Sequence, residues 1–226
     1  MVSGRRRWRV TLVAAVVVLA GGCGGGAPAG GSASSAAGSS EDASSVDPDS
    51  TVPAGESAAD GPPLAEGAVA PPERAADAFT YNPALVPEGA YLEVYSTVEG
   101  TSTTVRLEVE GLLPDRGYAA HAHASACGPS GDAAGPHFQN RQDPAAGPGK
   151  PSTDPAFANP QNEIWLDLTT DSDGNGEATA TVPFTFTDRA PASVIVHEAM
   201  MTATEPGKAG SAGARLACLT APFPTG

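Results

Sequence analysis

The chain has 226 residues, and its 26 acidic side chains outnumber the 12 basic ones, giving a formal net charge of −14 at pH 7. A chain that acidic has no electrostatic reason to bind nucleic acid or an anionic lipid surface. With 27 glycines, 22 prolines and 5% aromatic residues, only part of the chain has the apolar content to build a core.

The first segment reads as an export signal. Arg5, Arg6, Arg7 and Arg9 precede an apolar run from Val10 to Ala20, which is shorter than the about 20 residues a membrane-spanning helix needs. The run ends in small residues, LAGGC, which resemble a bacterial lipoprotein cleavage site with Cys23 as the acylated residue. The alternative is an ordinary secretory signal with an incidental cysteine. Arg6-Arg7 before Trp8 occurs in twin-arginine and ordinary signals alike, so it leaves the export route open. A signal peptide over residues 1–22 is expected. Its removal takes away four arginines and no acid, moving the formal charge from −14 to −18. Any attachment to a membrane would then run through a lipid anchor.

From Cys23 to Asp77 the chain is Gly, Ala, Ser and Pro with scattered acids, and it has almost nothing large and apolar to bury. Such composition predicts a disordered tether. About 54 flexible residues reach on the order of 40 Å, enough to hold a domain clear of a membrane surface.

Residues 78–226 carry the alternation of half-buried strands. Strands are expected at 91–98, 104–109, 117–124, 163–169, 177–184, 193–198 and 214–220. Val105, Leu107 and Val109 share one strand face, as do Leu92 and Val94, with Thr97 beside them. Turns fall at Glu99-Gly100, Pro114-Asp115 and Asp171–Gly176. This predicts an all-β sandwich or barrel. The interruptions at 125–161 and 199–213, rich in Gly, Pro and Ala, are too long to be idle loops. DSDGNG, Asp171 to Gly176, matches the opening of a calcium-binding helix-loop-helix. Val182 stands where that loop needs a bidentate glutamate, and the residues after Gly176 alternate like a strand, so a plain turn is expected.

Two cysteines remain in the domain, Cys127 and Cys218. In an exported chain a disulfide is the default, and it would close a loop of about 90 residues. The alternative is two free thiols. All four histidines of the chain also lie here: His121, His123, His137 and His197. Residues two apart on a strand point to one side about 6.7 Å apart, so His121 and His123 can direct both imidazoles at one ion. His137 sits in the long loop and His197 at the end of an apolar run, where both can join them. Imidazole suits copper, zinc, iron and nickel, and a nitrogen-rich site with an open position favours copper.

These segments in order resemble the copper/zinc superoxide dismutases. GLLPDRGYAAHAH, Gly111 to His123, is similar to the family segment with the first two copper-ligand histidines. GPHF resembles the segment whose histidine, here His137, bridges two metals, and VIVHE resembles the strand end with the last copper ligand, His197. Cys127 and Cys218 match the family's intrasubunit disulfide, and Arg215 in GARLAC matches the arginine that draws superoxide to copper. The resemblance covers residues 91–220 and implies a Greek-key eight-stranded barrel. It also implies catalytic roles for Arg215 and His137.

The zinc half of the pattern does not carry over. No histidine is left for it, and between His137 and the next strand the charged oxygen donors are Asp143, Asp154 and Glu163. Gln161 and Ile164 stand where the last zinc histidine and aspartate belong. The charged loop after His197 is replaced by Ala199, Met200, Met201, Thr202 and a Gly/Ala run, with the methionines expected as packing or loop residues. Ala119 and Ala120 replace the Gly-Phe that commonly precedes the first copper histidine. The expectation is a tethered dismutase with one copper per chain, no zinc, superoxide as partner and altered support around His137. The alternative is a copper-binding lipoprotein that buffers or delivers the metal without turnover. The sequence leaves the oligomeric state open.

Overall fold

The computed structural model describes residues 61–147 and 149–226. The expected signal peptide, Cys23 and the tether as far as residue 60 lie outside the described residues. The elements are β1 (Ala65–Ala68), β2 (Ala78–Thr80), β3 (Tyr91–Glu99), β4 (Ser102–Glu110), β5 (Gly117–Tyr118), β6 (Ala120–His123), β7 (Leu168–Thr169), β8 (Gly176–Val182), β9 (Ser193–His197) and β10 (Arg215–Thr220), with one 3-10 turn at Gly131–Ala134.

The all-β expectation holds. One four-stranded sheet has the order β1-β3-β4-β8 and another β2-β10-β9-β6, with β5 and β7 as a small third pair. All ladders within them are antiparallel. Alternation decides what each strand buries. Leu92 and Val94 of β3 and Leu107 of β4 point inward, where they meet Val194 and Val196 of β9 and Leu219 of β10. Each such burial stabilises by about 1.5–3 kcal/mol over exposure. Thr97 does not share the Leu92 face: the period of two puts it on the other side, opposite Thr104.

Three expectations need correction. Residues 61–77 do not belong wholly to a tether, because Ala65–Ala68 pairs with Tyr91–Val94 as an edge strand; Ala78–Thr80, not among the expected strands, pairs with β10. Runs of three or four residues carry no alternation signal, so the partner strands rather than their own propensity order them. Second, the 117–124 strand breaks at Ala119, whose N–H turns to the carbonyl of Ala199. Third, 163–169 is a strand only at Leu168–Thr169. Upstream it runs beside β6 through an isolated bridge, Trp165 to His121. There the Asp167 carboxylate, not a ladder carbonyl, accepts the N–H of Ala120.

The DSDGNG segment is a turn, as expected. Asp171 Oδ1 accepts the N–H groups of Asp173 and Asn175, and Gly174 sits at φ 82° with the Leu112 carbonyl 2.2 Å from where a Cβ would stand. Only glycine fits there. The chain then enters β8.

Candidate metal centre

β6 and β9 are neighbours in register, with Ala120 opposite Val196, His121 opposite Ile195 and His123 opposite Ser193. Ala120, Ala122, Val194 and Val196 fill the core, so parity sends His121, His123 and His197 to the other face. The loop after β6 folds back over that face. His123 forms an isolated bridge with His137, which brings the fourth ring across.

One ring nitrogen from each of His121, His123, His137 and His197 lies within 4.8 Å of the others. His123 Nε2 and His197 Nε2 are 3.3 Å apart. Metal–imidazole bonds are about 2.0–2.1 Å long, so donors around one ion stand about 3–4 Å apart. The four rings fit such an ion. Among the described residues they are the one cluster of three or more His, Cys, Asp or Glu side chains spaced to hold a metal.

Three of the four rings are held by hydrogen bonds from outside the cluster. His123 Nδ1 donates to the Gly135 carbonyl at 3.0 Å, leaving Nε2 as its lone-pair nitrogen. His137 Nδ1 lies 3.0 Å from Glu163 Oε2. That carboxylate, only 2% exposed, also accepts from Trp165 Nε1 at 2.7 Å and Gln139 Nε2 at 2.8 Å. His121 Nε2 is 2.7 Å from Thr202 Oγ1, while its Nδ1 is buried with no hydrogen-bond partner. Such orphaned buried nitrogens are uncommon and point to an absent partner. His197 Nδ1 likewise lacks a hydrogen bond of normal geometry, although the Gly213 backbone is placed to favour the charged ring.

The support around His137, expected to be altered, is therefore rebuilt from other side chains. Of the three oxygen donors in the loop, only Glu163 reaches it. Asp143 binds Ser152 and Asp154 caps the N–H of Ala156. Ile164 is buried in the core and Gln161 is exposed on a turn. Asp167, Thr202, Trp165 and Gln139 went unread in the sequence. A signal existed for two of them: Glu163, Trp165 and Asp167 alternate, as residues on one side of an extended chain do. Met200 and Met201 are 67% and 71% exposed, so they are loop residues and do not pack.

Cys127 and Cys218 are disulfide-bonded with Cα atoms 5.8 Å apart. Arg215 lies opposite His197 because β10 carries an irregularity between Arg215 and Ala217. Its Nη1 donates to the Gly131 carbonyl at 2.6 Å and its Nη2 to the Gly135 carbonyl at 2.7 Å. A cavity of about 680 Å³ opens over His137 and His197, and Arg215, Lys150 and Arg189 lie along its wall.

Burial, and then the neighbouring rings of His137 and His197, push His121 and His123 well below the usual histidine value. Burial, and then the His137 ring, lower His197 to about 3. Folding thus favours neutral rings, while the unfolded chain binds protons below about pH 6.5. The stability this contributes is complete above that pH and is lost as the pH falls toward 3. Urea unfolding of the metal-free protein should show a midpoint that drops steadily from pH 7 to pH 4. A flat profile over that window would contradict the buried cluster.

A family model described as copper/zinc superoxide dismutase matches residues 90–220. No curated protein matches the chain. Solved structures similar to it include a double mutant of a SOD-like protein from Bacillus subtilis, at 17% identity over 59% of this chain and 89% of that chain, with a TM-score of 0.43. A Cu/Zn superoxide dismutase from Brucella abortus is 19% identical, over 64% of this chain and 96% of that chain, with a TM-score of 0.45.

Proposed function

The chain belongs to the copper/zinc superoxide dismutase family, and on that premise we propose that it is a copper-dependent superoxide dismutase acting outside the cytoplasm without a zinc site. Two superoxide anions and two protons become oxygen and hydrogen peroxide. The observation that carries this reading is the convergence of four imidazole nitrogens beside a cavity walled by Arg215.

Copper, when held there, supplies a one-electron couple that zinc lacks. His121 would offer Nδ1, and His123, His137 and His197 would offer Nε2. Arg215 presents a fixed positive charge to an incoming anion, its guanidinium braced by two carbonyls. His137, whose Nδ1 is held by Glu163, keeps Nε2 on the site side, where it can take up and return a proton. A carboxylate at that Nδ1 stands where a second metal would need the lone pair, and the chain has no further histidine. Both features favour a site with copper alone.

The export leader and the disulfide favour a compartment outside the cytoplasm, with Cys23 as the lipid-bearing residue. A non-catalytic copper carrier is favoured by one fact: residues 78–226 hold seven cations and seventeen acids, a net −10 that repels superoxide. Charge near the copper then has to do the attracting, within a Debye length of about 8 Å.

Arg215→Ala separates the two. For the enzyme, the rate per bound copper should fall roughly tenfold or more, since local steering contributes about 10–10³-fold. Copper-loaded protein no faster than its His197→Ala variant would leave only the carrier. Metal analysis should find one copper and no zinc per chain.

A further inference from the structure

We infer that Thr202 and Asp167 form a hydroxyl–carboxylate pair that fixes His121 as its Nε2–H tautomer and thereby aims the Nδ1 lone pair into the metal site. This rests on the metal-binding reading above, and it concerns residues that neither the motif nor the metal-ligand set includes. Thr202 is a positioning residue: it touches a ligand, not the metal or the substrate.

Proton counting carries the argument. A threonine hydroxyl has one proton to donate and two lone pairs to accept with. Thr202 Oγ1 is 2.7 Å from Asp167 Oδ1, and the Thr202 N–H donates to Asp167 Oδ2 at 2.7 Å. A carboxylate accepts both bonds, so the hydroxyl proton is directed at Asp167. Toward His121 Nε2, 2.7 Å away, Oγ1 can then only accept. The ring proton therefore sits on Nε2. Nδ1 is left unprotonated, buried and without a hydrogen-bond partner.

The pair is itself anchored. Asp167 Oδ1 also accepts the Ala120 N–H, next to His121 in β6, and Asp167 Oδ1 lies 4.0 Å from His121 Nε2, adding attraction for a ring that carries its proton there. Thr202 is 6% exposed although Met200 and Met201 beside it are exposed. The loop after β9 thus reaches His121 through the Thr202 hydroxyl. Its neighbours need not be charged for it to do so.

The test uses nitrogen-15 NMR of the metal-free protein together with copper release to a chelator. Wild type should show His121 protonated at Nε2. Thr202→Val, close in shape and still folded by its thermal midpoint, should lose the fixed tautomer. It should also release copper about 10–100-fold faster, the usual cost of removing an outer partner of a metal ligand. Thr202→Ser should restore both readouts, and Asp167→Asn should fail as Thr202→Val does. His121 protonated at Nδ1 in wild type, or Thr202→Val indistinguishable from it in both readouts, would overturn the inference. The wild-type spectrum decides the tautomer even where a variant does not fold. A protein with the expected tautomer that binds no copper would instead overturn the functional reading alone.

Discussion

Replacing His197 with alanine is expected to empty the copper site and with it all dismutation above the spontaneous rate. His197 is 3% exposed at the end of β9, and its Nε2 faces His123 Nε2 across 3.3 Å. Two neutral rings that close need a proton or a metal between their nitrogens, since two lone pairs cannot face each other. Removing one ring deletes a donor and opens a gap that water enters from the adjoining cavity. The loss of copper affinity should exceed the roughly 10–100-fold that an outer partner costs. Copper per chain and superoxide consumption measure it together. A variant with full copper and full rate would mean that the ion sits elsewhere. The fold itself should persist, because His197 points away from the core that Val194 and Val196 fill.

The largest loss of stability should come from Cys127→Ser with Cys218→Ser. The disulfide spans 91 residues, and in the chain-entropy model a loop of that length contributes about 4–5 kcal/mol by restricting the unfolded chain. For a domain of this size that corresponds to a fall in melting temperature of about 10–15 °C. Cys218 is also fully buried against Ile195, Ala134 and Phe79, so a serine there leaves a hydroxyl in apolar surroundings. Copper retention should fall as well. The loop from Cys127 carries the Gly135 carbonyl that orients His123 and is gripped by Arg215. Chemical denaturation of oxidised and double-mutant protein gives the difference. A loss below about 1 kcal/mol would show that the hydrogen bonds alone hold the loop.

The long strands of the sheet facing the site-bearing one were legible because their pattern is set by burial. Leu92, Val94, Val105 and Leu107 alternate with polar residues, and that period of two reports the sheet directly. The four histidines were legible as a set for the same reason: His121 and His123 share parity, and His197 ends an apolar run. What failed to show was everything held by partners distant in sequence. β1 and β2 are too short to have a period, and they exist because β3 and β10 offer them free edges. Thr202 lies in an irregular loop with no local mark, and only folding brings its hydroxyl to a histidine 81 positions away. Glu163 could be named as an oxygen donor, but its contact with His137 depends on how a long loop closes. Chain order alone does not determine that closure.

The irregularity in β10 has a consequence for how arginine and cysteine are spaced. In a regular strand, residues three apart face opposite ways, so Arg215 and Cys218 should be separated by the sheet. Arg215 pairs with His197, while Ala217 already pairs with Val196, so Leu216 is one residue more than the partner strand has. That surplus residue takes the core position, and the guanidinium is turned to the side where Cys218 meets Cys127. An insertion or deletion of one residue, usually fatal inside a strand, is here the means by which an odd spacing works as an even one. A relative with only one residue between its arginine and its cysteine could place the same two groups identically on an unbroken strand.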